Sequence, residues 1–302
     1  MSFQITTAFV QQFKDNAYHL AQQKVSRARG TCDEEQIVGE IAYFEQIGAV
    51  AFQAVVGRHG DTPLISTPHS RRSCIFTDYE WGDMVDDQDK LRLLMAPEGK
   101  YTRAIGYGAS RTFDDVLFAA ALGTAFTGKA AGTSVVLPAA QIIQVTGTQK
   151  ANSGGATTGL TVGKVTRAKY LMDLTDDYES DRYFFVSPSQ LQDLLFKTSA
   201  TSRDYVDIKA LVDGRVSTWM GFNWRFSTRL TLTANTRKCI AWQRPGMQLG
   251  VGQEFDVEIG KDPGKRFNTR VYATLSIGAT RMEESRVVEV DCDETTIADA
   301  TT

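Results

Sequence analysis

Thr77–Phe126, TDYEWGDMVDDQDKLRLLMAPEGKYTRAIGYGASRTFDDVLFAAALGTAF, is the stretch whose reading decides the fold. Two helices are expected in it. In the first, Met84, Leu91, Leu94 and Met95 fall broadly on one face, and Asp83, Asp86 and Asp87 crowd its opening turns, where the helix dipole favours negative charge. Pro97 breaks it, since proline cannot continue a helix. The second is expected from Glu98 to Phe126, with Tyr101, Ile105, Phe113, Val116, Leu117, Ala120 and Ala121 at helical spacings. At about 1.5 Å per residue it would be about 40 Å long. Gly106 and Gly108 weigh against it, each by about 1 kcal/mol relative to alanine.

Upstream, Ile41–Val56 and Pro63–Thr77 read as two extended runs around the turn Gly57-Arg58-His59-Gly60-Asp61-Thr62-Pro63. Pro63 and Pro68 keep the second run at a sheet edge, because proline donates no ladder hydrogen bond. So long a hairpin cannot bury both faces alone and is expected to pack on another chain. Ahead of it, Phe9, Val10, Phe13, Ala17 and Leu20 share a helical face, and residues 1–30 hold four basic residues against one acidic. That stretch suits a surface helix or an arm reaching a neighbouring subunit equally well. Downstream, the glycine-rich Thr146–Gly163 reads as a mobile loop. Helices are expected at Leu160–Leu174, Pro188–Phe196 and Asp204–Val212, a buried strand at Arg182–Ser187, and strands from Met220 onward. The α and β segments do not alternate regularly, which weakens a parallel nucleotide-binding sheet.

The whole chain has 302 residues, 42% of them hydrophobic, and a formal charge of −3. That balance suits a soluble folded protein and argues against condensing nucleic acid by charge. The most apolar segment, Ile41–Val56, carries Glu45, Gln46 and Gln53 and is too short for a spanning helix of about 20 residues, so no membrane partner is expected. Gly123–Lys129 has the spacing of a phosphate-binding loop but ends in Ala130 where magnesium needs a hydroxyl, and it closes a helix instead of opening one. A glycine helix stop is the plainer reading. Cys32, Cys74, Cys239 and Cys292 include no closely spaced pair, and no serine sits in a nucleophile elbow. No catalytic residue, cofactor site or metal site is expected, and the chain does not read as an enzyme.

Thr77–Ile105 and Phe113–Phe126, then FFVSPSQLQDLLF, SRDYVDIKALVDGRVSTWMGFNWRFS and IGATRMEESRVVEVDCDE, resemble in order and spacing the major capsid proteins of tailed bacteriophages. The resemblance covers about residues 35–295. It implies an α+β fold of the Hong Kong 97 type: an N-terminal arm (1–38), an extended hairpin loop (39–76), a peripheral domain with a long spine helix (77–129 and 265–302) and an axial domain (130–264). The implied function is a coat protein that self-assembles into hexamers and pentamers of an icosahedral shell around double-stranded DNA. A bacterial compartment shell enclosing cargo enzymes and a soluble α/β enzyme are the alternatives. Implied partners are further copies of the chain, a separate scaffolding protein, a portal protein, decoration proteins as an option, and packaged DNA through weak nonspecific contacts. The expected location is the virion, after assembly in the host cytoplasm.

Some relatives weld their shells through a lysine in the extended loop, and Gly57–Arg72 contains none. Noncovalent locking through Arg58, Asp61, Arg71 and Arg72 is therefore expected to join subunits. Inter-subunit disulfides through Cys32 and Cys74 are a weaker option, set against four buried unpaired cysteines.

Overall fold

A computed structural model describes residues 22–54, 57, 64–85, 98–196, 203–214 and 217–295. In chain order come β1 (Asp33–Gln36), β2 (Ile41–Ile47), β3 (His69–Ile75), β4 (Thr77–Val85), α1 (Glu98–Leu122), β5 (Ala125–Thr127), β6 (Thr133–Val135) and β7 (Ile142–Ile143). Next are α2 (Val162–Asp173), β8 (Arg182–Val186), α3 (Pro188–Phe196), α4 (Arg203–Val212), β9 (Thr218–Trp219), β10 (Phe222–Phe226), β11 (Leu232–Thr233) and β12 (Thr236–Gln243). The last three strands are β13 (Met247–Asp262), β14 (Asn268–Arg281) and β15 (Val287–Asp293). Three sheets run β1-β13-β14-β4, β7-β15-β12-β8-β10-β9 with β11 beside β12, and β2-β3-β5-β6. No helix among the described residues is long and apolar enough to cross a membrane. The N-terminal helical stripe lies outside the described residues.

The chain divides into two compact units. In the first, β4 pairs antiparallel with β14, from Thr269 opposite Val85 to Ile277 opposite Thr77. Val271, Ala273, Leu275 and Ile277 alternate into the buried face, as a half-covered strand requires. Ile105 of α1 packs on Val271 and Ala273, with Phe255 and Val257 beside them. Asp83, Met84 and Val85 are thus strand, not the opening of a helix: they take their ladder bonds from β14. Residues 86–97, the body of that expected helix, lie outside the described residues.

The second unit is built around β8, all five of whose residues are buried. Alternation sends Phe184 and Phe185 to opposite faces. Phe184 stacks on Trp224 at 4.8 Å and meets Phe222 edge-on, whereas Phe185 lies 4.3 Å from Trp242 and 5.2 Å from Phe118. Each such side chain contributes about 1.5–3 kcal/mol by leaving water. β15 pairs antiparallel with β12 in this sheet. α1 ends at Leu122, four residues short of the expected Phe126, where Gly123 N turns back to Ala119 O at 2.8 Å. The phosphate-loop spacing falls on the β5–β6 hairpin, with Gly128 at φ +96° in its turn.

Thr146–Gly163 is not a free loop. Gly147 N, Thr148 N and Gly155 N donate to Gln144 O, Ala151 O and Thr146 O at 2.7, 2.8 and 2.8 Å. A Cβ at Gly159 would collide with the Asp193 carboxylate. Close packing, more than mobility, calls for glycine there.

Candidate assembly surface

Strand pairing forms the hairpin base: Ile41 lies opposite Ile75 and Ile47 opposite His69, and β3 joins β5 through Arg72 opposite Thr127. Successive residues of β3 face opposite ways. Arg71 therefore lies on the exposed side, 2.7 Å from Glu45, with its guanidinium 5.5 Å from the centre of the Tyr43 ring. Arg72 turns inward. Its Nη2 donates to both carboxylate oxygens of Glu284 at 2.7 and 2.8 Å, and its Nε donates to Met282 O at 2.9 Å. Gln46 Nε2 donates to the same carbonyl at 2.8 Å.

Glu284 also stands 3.7 Å from Nε of Arg281, which is fully buried. Arg281 Nη1 donates to Ala121 O and Gly123 O at 2.8 Å, and its Nη2 to Val135 O at 3.0 Å. The two Nη1 bonds satisfy carbonyls at the end of α1 that have no helical partner, and the third ties α1 to β6. Burial holds the Arg281 pKa below its ordinary value, with Glu284 pulling the other way. A second buried charge, Asp114, accepts hydrogen bonds from Arg27 N and Ala28 N at 3.0 Å and so anchors the chain ahead of β1. Nothing in the residue pattern marked Arg281 or Asp114, because a buried charge carries no periodicity of its own.

Beyond this base the described residues of the hairpin include several uncovered apolar side chains. Ile47, Val50, Phe52, Leu64 and Ile65 are exposed, Phe52 and Leu64 completely so. A subunit stable alone rarely shows so many exposed apolar side chains close together.

Of the residues expected to join subunits, Arg58 and Asp61 lie outside the described residues. Arg71 faces outward, while Arg72 hydrogen-bonds Met282 and Glu284 of its own chain. Cys32 and Cys74 are free thiols at 1% exposure each. Burial, with Glu34 and Asp33 adding to it, pushes Cys32 up to about 12, and burial alone pushes Cys74 up to about 11. Thiols so enclosed and so hard to ionise argue against inter-subunit disulfides.

The phage capsid protein family matches residues 5–294. The chain belongs to that family. Its fold is that of Hong Kong 97-type capsid proteins. The capsid structure of Ralstonia phage GP4 superposes with a TM-score of 0.74 over 95% of this chain and 96% of that one, at 12% identity. That of Cyanophage P-SCSP1u gives 0.72 over 95% and 93%, at 16% identity. Cyanophage Pam1 gives 0.67 over 94% and 96%, at 12% identity. No curated protein sequence matches the capsid protein. Its role is structural: it forms the virion's shell.

Proposed function

We propose that this capsid protein closes its shell from hexamers and pentamers of itself, with the β2–β3 hairpin laid across a neighbouring subunit. The uncovered apolar side chains of that hairpin carry the reading, because burying them needs a surface their own chain does not supply. Obligate interfaces commonly bury about 2,000–5,000 Å², and a projecting hairpin reaches such an area without a larger core. Arg71, with Arg58 and Asp61, makes polar links at the rim of that contact. Each isolated link contributes only about 0–1 kcal/mol, and repetition around the shell adds them up.

The enclosed genome is double-stranded DNA, loaded through a portal after assembly on a separate scaffolding protein in the host cytoplasm. Decoration proteins are optional additions outside. A charge of −3 suits a wall that touches DNA weakly and without sequence preference. A cargo-enclosing compartment shell draws no support from the family match. Electron microscopy of the protein expressed together with its scaffolding protein tests the reading: closed particles in the megadalton range are expected, and a stable monomer or dimer would refute it.

A further inference from the structure

Arg72 and Arg281 bring two cations to one enclosed place. Their side chains are 9% and 0% exposed, and Glu284 is the one carboxylate paired with either of them among the described residues. Two guanidinium groups against one carboxylate leave a positive charge in excess. The carbonyls that Arg281 holds, Ala121 O, Gly123 O and Val135 O, are dipoles without net charge. They solvate the guanidinium and leave the excess in place. An unbalanced buried charge is among the larger costs a fold can carry.

The same cluster has unused donors. Arg72 spends Nε on Met282 O and Nη2 on Glu284. Its Nη1 is buried and has no hydrogen-bond partner among the described residues. Arg281 Nε is equally enclosed and lies 3.7 Å from Glu284 Oε1, beyond hydrogen-bond reach. The two arginines also feel each other: burial holds the Arg281 pKa below its ordinary value, Glu284 opposes this, and the charge of Arg72 adds to it. Buried polar groups in folded proteins nearly always find a partner. A trapped water would satisfy the donors and leave the charge, whereas a small anion answers both needs.

We propose that this cluster binds a small monovalent inorganic anion of the size of chloride, which accepts from Arg72 Nη1 and balances the charge of Arg72, Arg281 and Glu284. Donors so enclosed favour a single small sphere over phosphate or an organic acid. Glu284, at 20% side-chain exposure, is the member of the cluster nearest solvent and marks the way in. The site lies where the hairpin strand β3, the Met282–Glu284 turn and the end of α1 meet. An ion held there by the folded chain alone stabilises that junction in proportion to its supply.

The experiment melts the full chain in sodium chloride and in sodium gluconate at equal ionic strength, gluconate being too bulky for the site. Wild type should melt about 2–4 °C higher in chloride, with a gain that saturates as chloride rises. Arg72→Gln removes both the excess charge and the unused donor, so its melting should not distinguish the two salts. Glu284→Gln raises the excess to two charges, so its gain from chloride should exceed that of wild type. Equal melting of wild type in the two salts overturns the proposal, and so does a gain that R72Q retains or that E284Q fails to enlarge. Wild-type crystals grown in sodium bromide give a reading that needs no variant to fold. An anomalous bromide peak against Arg72 Nη1 is expected, and a water at that position without bromide overturns the proposal as well.

Discussion

Strand β8 and the hairpin beyond Ile47 are made of similar aromatic and β-branched residues and meet opposite surroundings. In β8 every side chain is enclosed by its own chain, Phe184 between Phe222 and Trp224, Phe185 between Phe118 and Trp242. In the hairpin, Val50, Phe52, Leu64 and Ile65 have no such cover. The same apolar chemistry completes a fold in one place and leaves it open in the other. Between the hairpin base and its own chain stands the polar clamp of Arg72, Glu284 and Arg281, and the apolar side chains beyond that base are exposed.

Phe185→Ala should break the inner half of this contrast. Removing a fully buried ring costs about 3–5 kcal/mol, a large share of the about 5–15 kcal/mol that holds a domain together. Denaturant unfolding of the subunit should show that loss directly, and a change under about 1 kcal/mol would mean the sheet is not the organising core.

A smaller effect lies on β15 of the same sheet. Burial, then the neighbouring Glu289, lifts the Asp291 carboxyl to about 6, against the opposing pull of Lys238 and Lys164. Its Oδ1 is buried and has no hydrogen-bond partner among the described residues. A pKa raised on folding means the folded state holds the proton more tightly. The stability it contributes is full below the ordinary value of 3.8 and is lost as pH rises through about 6. Asp291→Asn should therefore be more stable than wild type near about pH 8, with the gap closing by about pH 4. Equal stability at both pH values would show that the carboxylate is fully solvated.

How much of this could be read from residues alone depended on how local each cause was. Pro188–Phe196 was legible to the residue, because a proline start and an apolar face lie within one segment. Arg182–Val186 was legible for the same reason: an unbroken apolar run has few fates besides a buried strand. Asp83–Val85 was misread because Met84, Leu91, Leu94 and Met95 have helical spacing, while the strand is imposed by β14, far away in sequence. The end of α1 was placed too late, since Ala125 and Phe126 continue an apolar rhythm that Gly123 interrupts by turning back on Ala119. The hairpin was visible as two extended runs, but its paired part is shorter, Ile41–Ile47 with His69–Ile75. Which of Arg71 and Arg72 faces inward depended on a register that only the pairing with β2 and β5 sets.

The contrast between enclosed sheet and open hairpin is tested most directly by sedimenting wild type and Phe52→Ser/Leu64→Ser side by side. Both side chains are fully exposed in the single subunit, so the double variant should unfold within about 0.5 kcal/mol of wild type. The account predicts megadalton particles for wild type and folded, unassembled subunits for the variant. A variant that assembles as fully as wild type would contradict it.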